Sequence, residues 1–197
     1  MNDEEVGLTE ELLIEMVATF ADKEILPYRY SIDQTGKLPQ DLWEKMIAAG
    51  FLSLTVPKEY NGAGFDCNVA WRVIYELSKR SASVGCILEG HYKTVDQVVR
   101  FARPILKTKY LPQANFRVFG FGSTEPSGGT NIYNMRTNAT KTATGWMLNG
   151  SKVMITNAGL AEIYCILAKT NTDEISCFLV DKEMSGFSFG DNQVVQR

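Results

Sequence analysis

The sequence predicts an α+β protein in two parts. An all-α N-terminal domain spans residues 1–116, and a small β domain, an incomplete barrel or sandwich, spans 117–197. Two observations carry this. Up to residue 116, apolar residues recur at helical spacing; beyond it, β-branched and aromatic residues alternate between glycine and asparagine turns. A composition of 45% hydrophobic and 22% charged residues suits a soluble globular chain, and 197 residues suffice to bury a core.

The helical elements follow in order. "TEELLIEMVATFADKEIL" predicts a first helix capped by Thr9, with a stripe of Leu13, Met16, Val17 and Phe20, ended by Pro27. A second starts at Pro39 and stops at Gly50, burying Leu42, Trp43, Met46 and Ile47. "FLSLTVPKEYNGAGFD" reads as a loop with turn chemistry at Asn61-Gly62 and Gly64. Asp66 caps a third helix through about Lys79, with Ala70, Val73, Ile74 and Leu77 on one side. A fourth runs from about Ser83 to Phe101 on Val84, Ile87, Leu88, Tyr92, Val95 and Val99. A short helix from Pro104 reaches Leu111 and is stopped by Pro112.

The second half reads as five or six strands: "RVFGFGS", "TNATKTAT", "GWMLNG", "EIYCILAKT" and "ISCFLVDK", with "SKVMIT" a further candidate. Asn149-Gly150 signals a two-residue hairpin between "WML" and "SKVMIT".

A net charge of −3 with no basic patch argues against nucleic acid as a partner. No apolar run approaches membrane-spanning length. The acidic N-terminus "MNDEEVGLTEE" is wrong for a secretory or mitochondrial signal, so a cytoplasmic chain is expected. The four cysteines show no metal-ligand spacing, and no metal site is expected. Cys165 and Cys177 fall on successive strands, where they can face each other, and are expected to be reduced.

Three stretches invite a chemical reading. "FGFGSTEPSGGTN" sets Gly128-Gly129 between the hydroxyls of Ser127 and Thr130, suited to close approach of a phosphate. Its spacing is neither a Walker loop nor a dinucleotide fingerprint, and local chemistry alone favours a plain inter-strand connector. "NGSKVMITNAG" reads locally as a hairpin and strand. "ILEGHYK" places Glu89 and the lone His91 on a helix; His91 reads as a satisfied or exposed helix residue, and no Ser-His-Asp set or Cys-His dyad is present.

Taken together and in order, these segments resemble the acyl-CoA dehydrogenase family of flavoproteins. "FADKEILPYRYSIDQTGKLPQDLWEKMIAAGFLSLTVPKEYNGAGFD" resembles its N-terminal helical domain, "GSTEPSGGTN" its Thr-Glu-Pro-x-x-Gly-Ser-Asp segment, and "WMLNGSKVMITNAG" its Asn-Gly-x-Lys-x-Trp-Ile-Thr-Asn-Gly segment. The resemblance covers nearly the whole chain. It implies FAD as cofactor and an acyl thioester, on coenzyme A or an acyl carrier protein, as substrate. Phe121, Ser123 and Thr124 match residues lining the flavin ring, Gly129 and Thr130 residues at the FAD pyrophosphate, and Met154 and Thr156 residues against the isoalloxazine. Glu89 matches a position at the acyl end of the pocket, and Thr130 also faces the substrate. The implied reaction is α,β-dehydrogenation: a carboxylate takes the α-proton and the flavin takes the β-hydride.

The departures are specific. Gly-Ser-Asp is here Gly129-Thr130-Asn131, an aromatic position is Met154, and "ARP" and "QANFR" replace the family's usual turns. After "GFSFGDNQVVQR" the family continues with further strands and a helical bundle that carries its catalytic glutamate and builds its oligomer. No catalytic residue is therefore assigned in this chain. The expectation is a fragment or half-enzyme needing a C-terminal domain, a homo-oligomer or a second subunit. The alternatives are a non-catalytic scaffold of the same fold, or another flavin enzyme such as an acyl-CoA oxidase.

Overall fold

A computed structural model describes residues 3–190. The ends of the two expected domains, residues 1–2 and 191–197, lie outside the described residues. The chain divides between Phe116 and Arg117 into two compact units.

The first unit contains α1 (Asp3–Phe20), α2 (Arg29–Thr35), α3 (Gln40–Ala48), α4 (Cys67–Ser78), α5 (Ala82–Phe101) and α6 (Pro104–Tyr110). Thr9 is no cap: it lies inside α1. Pro27 does not end the helical path either. α1 runs through a π turn at Ala21–Ile25 and a 3-10 turn at Leu26–Tyr28 into α2. Pro27 sits in the first turn of that 3-10 segment, where its missing N–H costs no bond. The buried stripe is Val17, Ala21 and Ile25, at i, i+4 and i+8, while Met16 points to solvent at 70% exposure. Pro39 is the N-cap of α3 rather than its first residue; Leu42 and Met46 are buried, Trp43 and Ile47 half-buried.

Asp66 caps α4 as its position predicts, its carboxylate accepting from the N–H groups of Asn68 (2.9 Å) and Val69 (3.1 Å). α4 and α5 pack together. Val69, Val73 and Leu77 on α4 and Val84, Leu88 and Val95 on α5 are each at most 1% exposed. Gly85 permits the close approach, because a Cβ there would collide with the Ser78 side chain. The segment after α3 is held to α5 by two side chains. Tyr92 donates from its hydroxyl to the Phe51 carbonyl at 2.6 Å, and His91 Nε2 bonds the Leu52 carbonyl at 3.0 Å. His91 is fully buried. Burial lowers its pKa from 6.5 to about 4, although backbone hydrogen bonds at Leu52 and Ala114 favour the charged form. Its role is to pin this segment in the neutral state.

The second unit is one open five-stranded sheet: β1 (Phe119–Gly122), β2 (Asn138–Lys141), β3 (Trp146–Asn149), β4 (Ile163–Lys169) and β5 (Ile175–Asp181). β4 is its axis. It pairs in parallel with β1 along Phe119↔Ile163 to Gly122↔Ile166, in parallel with β2 at Asn138↔Lys169, and antiparallel with β5 along its whole length. Its near-continuous burial, Ile163 to Ile166 and Ala168, is that of a strand covered on both faces.

The hairpin expected at Asn149-Gly150 does not form. β3 instead turns back from β2 through Thr142–Gly145, where the Thr142 N–H donates to the Gly145 carbonyl at 2.9 Å. Residues 151–155 run as irregular chain and not as the expected strand. Gly150 is needed for another reason. It has φ of +153°, and a Cβ there would lie 2.6 Å from Thr137 Cα.

Candidate cofactor-binding site

The second unit brings two of the sequence motifs side by side. β1 leads into Ser123 and Thr124, and the downstream segment 153–157 lies against them in the opposite direction. The Val153 N–H donates to the Thr124 carbonyl at 2.9 Å. At the other end, Asn157 Nδ2 donates to the Phe119 carbonyl at 3.2 Å. Between these ties Ile155 packs over Gly122, where any Cβ would meet Ile166 Cδ1 at 2.6 Å and Ile155 Cδ1 at 3.2 Å. A side chain at residue 122 would therefore push the two motifs apart.

Met154 projects from this arrangement. It is 83% exposed and has φ of +57°, a left-handed backbone that ordinary side chains adopt at a cost of about 1 kcal/mol. A large apolar side chain held outward on a strained backbone marks a position whose shape is maintained by its surroundings. Thr156 is also exposed, and Phe121, Ser123 and Thr124 are half-buried.

After Thr124 the chain makes a tight loop. Glu125 and Gly128 exchange N–H···O bonds at 3.0 Å in both directions. Gly128 adopts φ of +148°. Gly129 then folds back onto Thr124, whose Cγ2 would be 3.3 Å from a Cβ on residue 129. Thr130 follows with its side chain exposed, and Asn131 caps a short turn by accepting from the Tyr133 N–H at 3.2 Å.

The loop hangs on one carboxylate. Glu125 is 4% exposed. It accepts from the N–H groups of Arg136 (2.6 Å) and Thr137 (3.0 Å), from the Thr137 and Ser127 hydroxyls, and from Lys152 Nζ (2.8 Å). Lys152 also reaches the Ser123 carbonyl at 3.2 Å. Burial works against the charge of Glu125. The bonds from Arg136, Lys152 and Thr137 outweigh it and hold its carboxyl at about 2 instead of 4.5. A carboxylate so tightly held has no basicity at neutral pH, so Glu125 is a fastener and not a proton acceptor. A cavity of about 260 Å³ opens beside it, lined by Pro126, Ser127, Arg136 and residues 149–151.

Sequence reasoning placed Glu125 in a motif but missed this ion pair. The available signal was a lysine two residues after Gly150, in an otherwise uncharged stretch ending at Gly159. Glu89, expected at the acyl end of a pocket, lies half-buried on α5 and is paired with Lys93 at 3.0 Å. Among the described residues, no cluster of His, Cys, Asp and Glu could hold a metal ion, and no helix is long and apolar enough to cross a membrane.

Comparison with known proteins gives a consistent result. Residues 8–115 match the family profile "Acyl-CoA dehydrogenase, N-terminal domain", and residues 120–195 match "Acyl-CoA dehydrogenase, middle domain". An acyl-CoA dehydrogenase of Bacillus subtilis is 37% identical over 91% of this chain and 49% of its own length. The structure of butyryl-CoA dehydrogenase from Megasphaera elsdenii superposes with a TM-score of 0.87 at 26% identity, covering 98% of this chain and 52% of that one. That of a glutaryl-CoA dehydrogenase from Mycobacterium smegmatis, in complex with FADH2, gives 0.83 at 26% identity, covering 95% of this chain and 48% of that one. The chain thus spans about half the length of the relatives it matches. With both of its units matched in order, the chain belongs to the acyl-CoA dehydrogenase family.

Proposed function

We propose that this chain is the flavin-holding part of an FAD-dependent enzyme that desaturates an acyl thioester between its α and β carbons. The observation that carries the reading is the antiparallel seating of segment 153–157 on β1, which leaves Met154 outward on a left-handed backbone. These residues fit a flavin: Met154 offers an uncovered apolar face, Thr156 an exposed hydroxyl, and Phe121, Ser123 and Thr124 a half-buried border. Gly129, with no side chain, and Thr130, with an exposed hydroxyl, suit a pyrophosphate. When bound, the flavin supplies the hydride acceptor. This chain would hold and orient it; Glu89 and Thr130 would contact the acyl thioester. Glu125 is committed to its hydrogen bonds and does not take the α-proton; in this reading, as the family resemblance implies, the carboxylate that does so is supplied by further polypeptide, either a continuation or a second subunit.

A second reading, a scaffold that retains the fold without the chemistry, is favoured by a thioether, not an aromatic ring, at residue 154 and by the altered "ARP" and "QANFR" segments. Visible spectroscopy separates the two. Purified with a polypeptide supplying the remaining half of the fold, the chain should show bound flavin absorbance, and anaerobic acyl-CoA should bleach it. A colourless complex removes the enzyme reading. A yellow complex that no acyl chain length bleaches retains the cofactor and removes the dehydrogenation.

A further inference from the structure

β4 and β5 carry a pair of thiols that the flavin reading does not use. In the ladder Cys165 opposes Leu179 and Cys177 opposes Leu167, so the two cysteines are diagonal neighbours on one face of the sheet. Their sulfurs lie 2.6 Å apart as free thiols, against about 2.05 Å for a disulfide bond. Little movement separates the two states. The positions also differ in access: Cys165 is 3% exposed, whereas Cys177 is exposed.

We propose that Cys165 and Cys177 form a redox-active dithiol, a modification site that a small disulfide such as oxidised glutathione closes to an intrachain disulfide. Cys177 reacts first. The hydrogen bond from Cys165 holds its thiol below the ordinary range, aided by the nearby Lys152 ammonium, while the same contact and burial push Cys165 up. The Cys177 thiolate attacks one sulfur of the oxidant, forming a mixed disulfide and releasing one glutathione thiolate. Cys165 then loses its proton and attacks Cys177 Sγ, expelling the second glutathione. In balance, two protein thiols become one disulfide while one molecule of oxidised glutathione becomes two of the reduced thiol.

The site adjoins the candidate flavin strand. Cys165 pairs across the ladder with Phe121, so the two residues share a row of the sheet. The proposal does not depend on bound flavin, and its test needs none.

The experiment uses the full chain carrying Cys67→Ser and Cys86→Ser, which removes the other two, exposed thiols. It is incubated with oxidised glutathione, alkylated under denaturing conditions and digested with trypsin. Cleavage after Lys152, Lys169 and Lys182 places Cys165 in peptide 153–169 and Cys177 in peptide 170–182. The expected product is these two peptides joined and unalkylated, and separated by reduction. A second variant, with Cys165→Ser added, should accumulate glutathione on Cys177 at least tenfold over the parent, because nothing resolves the mixed disulfide. Separate peptides, whether alkylated or glutathionylated, overturn the proposal. So does equal accumulation of glutathione on Cys177 in parent and Cys165→Ser chains.

Discussion

Replacing Glu125 with glutamine should unfasten the loop that follows β1. Lowering the Glu125 carboxyl from 4.5 to about 2 corresponds to about 3 kcal/mol, at roughly 1.4 kcal/mol for each pH unit. The substitution also strands Lys152, whose side chain is 4% exposed, and losing one member of a buried pair costs roughly 3–5 kcal/mol. Either figure is a large share of the roughly 5–15 kcal/mol that holds an ordinary domain. The assay is urea unfolding read at Trp146, which meets Phe178 at 5.6 Å within the β unit, with Trp43 and Trp71 replaced by phenylalanine. At pH 6 Glu125→Gln should lose about 3 kcal/mol. The folded carboxyl titrates below the unfolded one, so its contribution is complete above 4.5 and fades as pH falls towards 2. The gap between parent and variant should therefore narrow by about 2 kcal/mol between pH 6 and pH 3. Adding Lys152→Met should recover part of the loss. A cost below about 1 kcal/mol at pH 6, or a gap unchanged by acid, would refute the fastener role.

His91 makes an opposite-charge case with the same sign in pH. Its folded pKa lies below the unfolded value, so its contribution is complete above 6.5 and is lost as pH falls towards 4, by about 3 kcal/mol in all. Unfolding of the helical unit, read at Trp43 and Trp71, should show this loss, and His91→Asn should remove the pH dependence over that range. On the flavin reading, Met154→Trp should tighten FAD binding by offering a ring in place of a thioether, measured by quenching of flavin fluorescence. Unchanged affinity would place residue 154 away from the flavin.

The helices were legible where apolar periodicity and a cap agreed, as at Asp66 and the buried Ala70, Val73 and Leu77 of α4, although Val69 was missed and Ile74 is only half-buried. α2 was not, because its seven residues bury only Ile32 and leave no period to read. The Asn149-Gly150 signal misled for a physical reason. Its glycine answers a close approach by Thr137, a contact thirteen residues away in sequence and invisible to a local turn rule. The same limit hid the core of the candidate site. Glu125 and Lys152 each stood in a recognisable motif, but their pairing across 27 residues is a tertiary fact. Met154 was legible as a substitution, and its left-handed backbone was not, since asparagine and glycine are the residues that advertise that conformation.

The position of β4 has a consequence for the order in which the β unit assembles. β1 and β2 pair in parallel with a strand that follows them in the chain, Phe119 with Ile163 and Asn138 with Lys169. Neither can dock until β4 has been synthesised, and closing such long loops is slow compared with making a hairpin. The β2–β3 hairpin and the β4–β5 hairpin, the latter joined by the turn in which Thr170 donates to Glu174 at 3.0 Å, are the local structures able to form first. During synthesis, β1 would wait unpaired and the β2–β3 hairpin would wait with one edge open, until residues 163–181 emerge to template the rest.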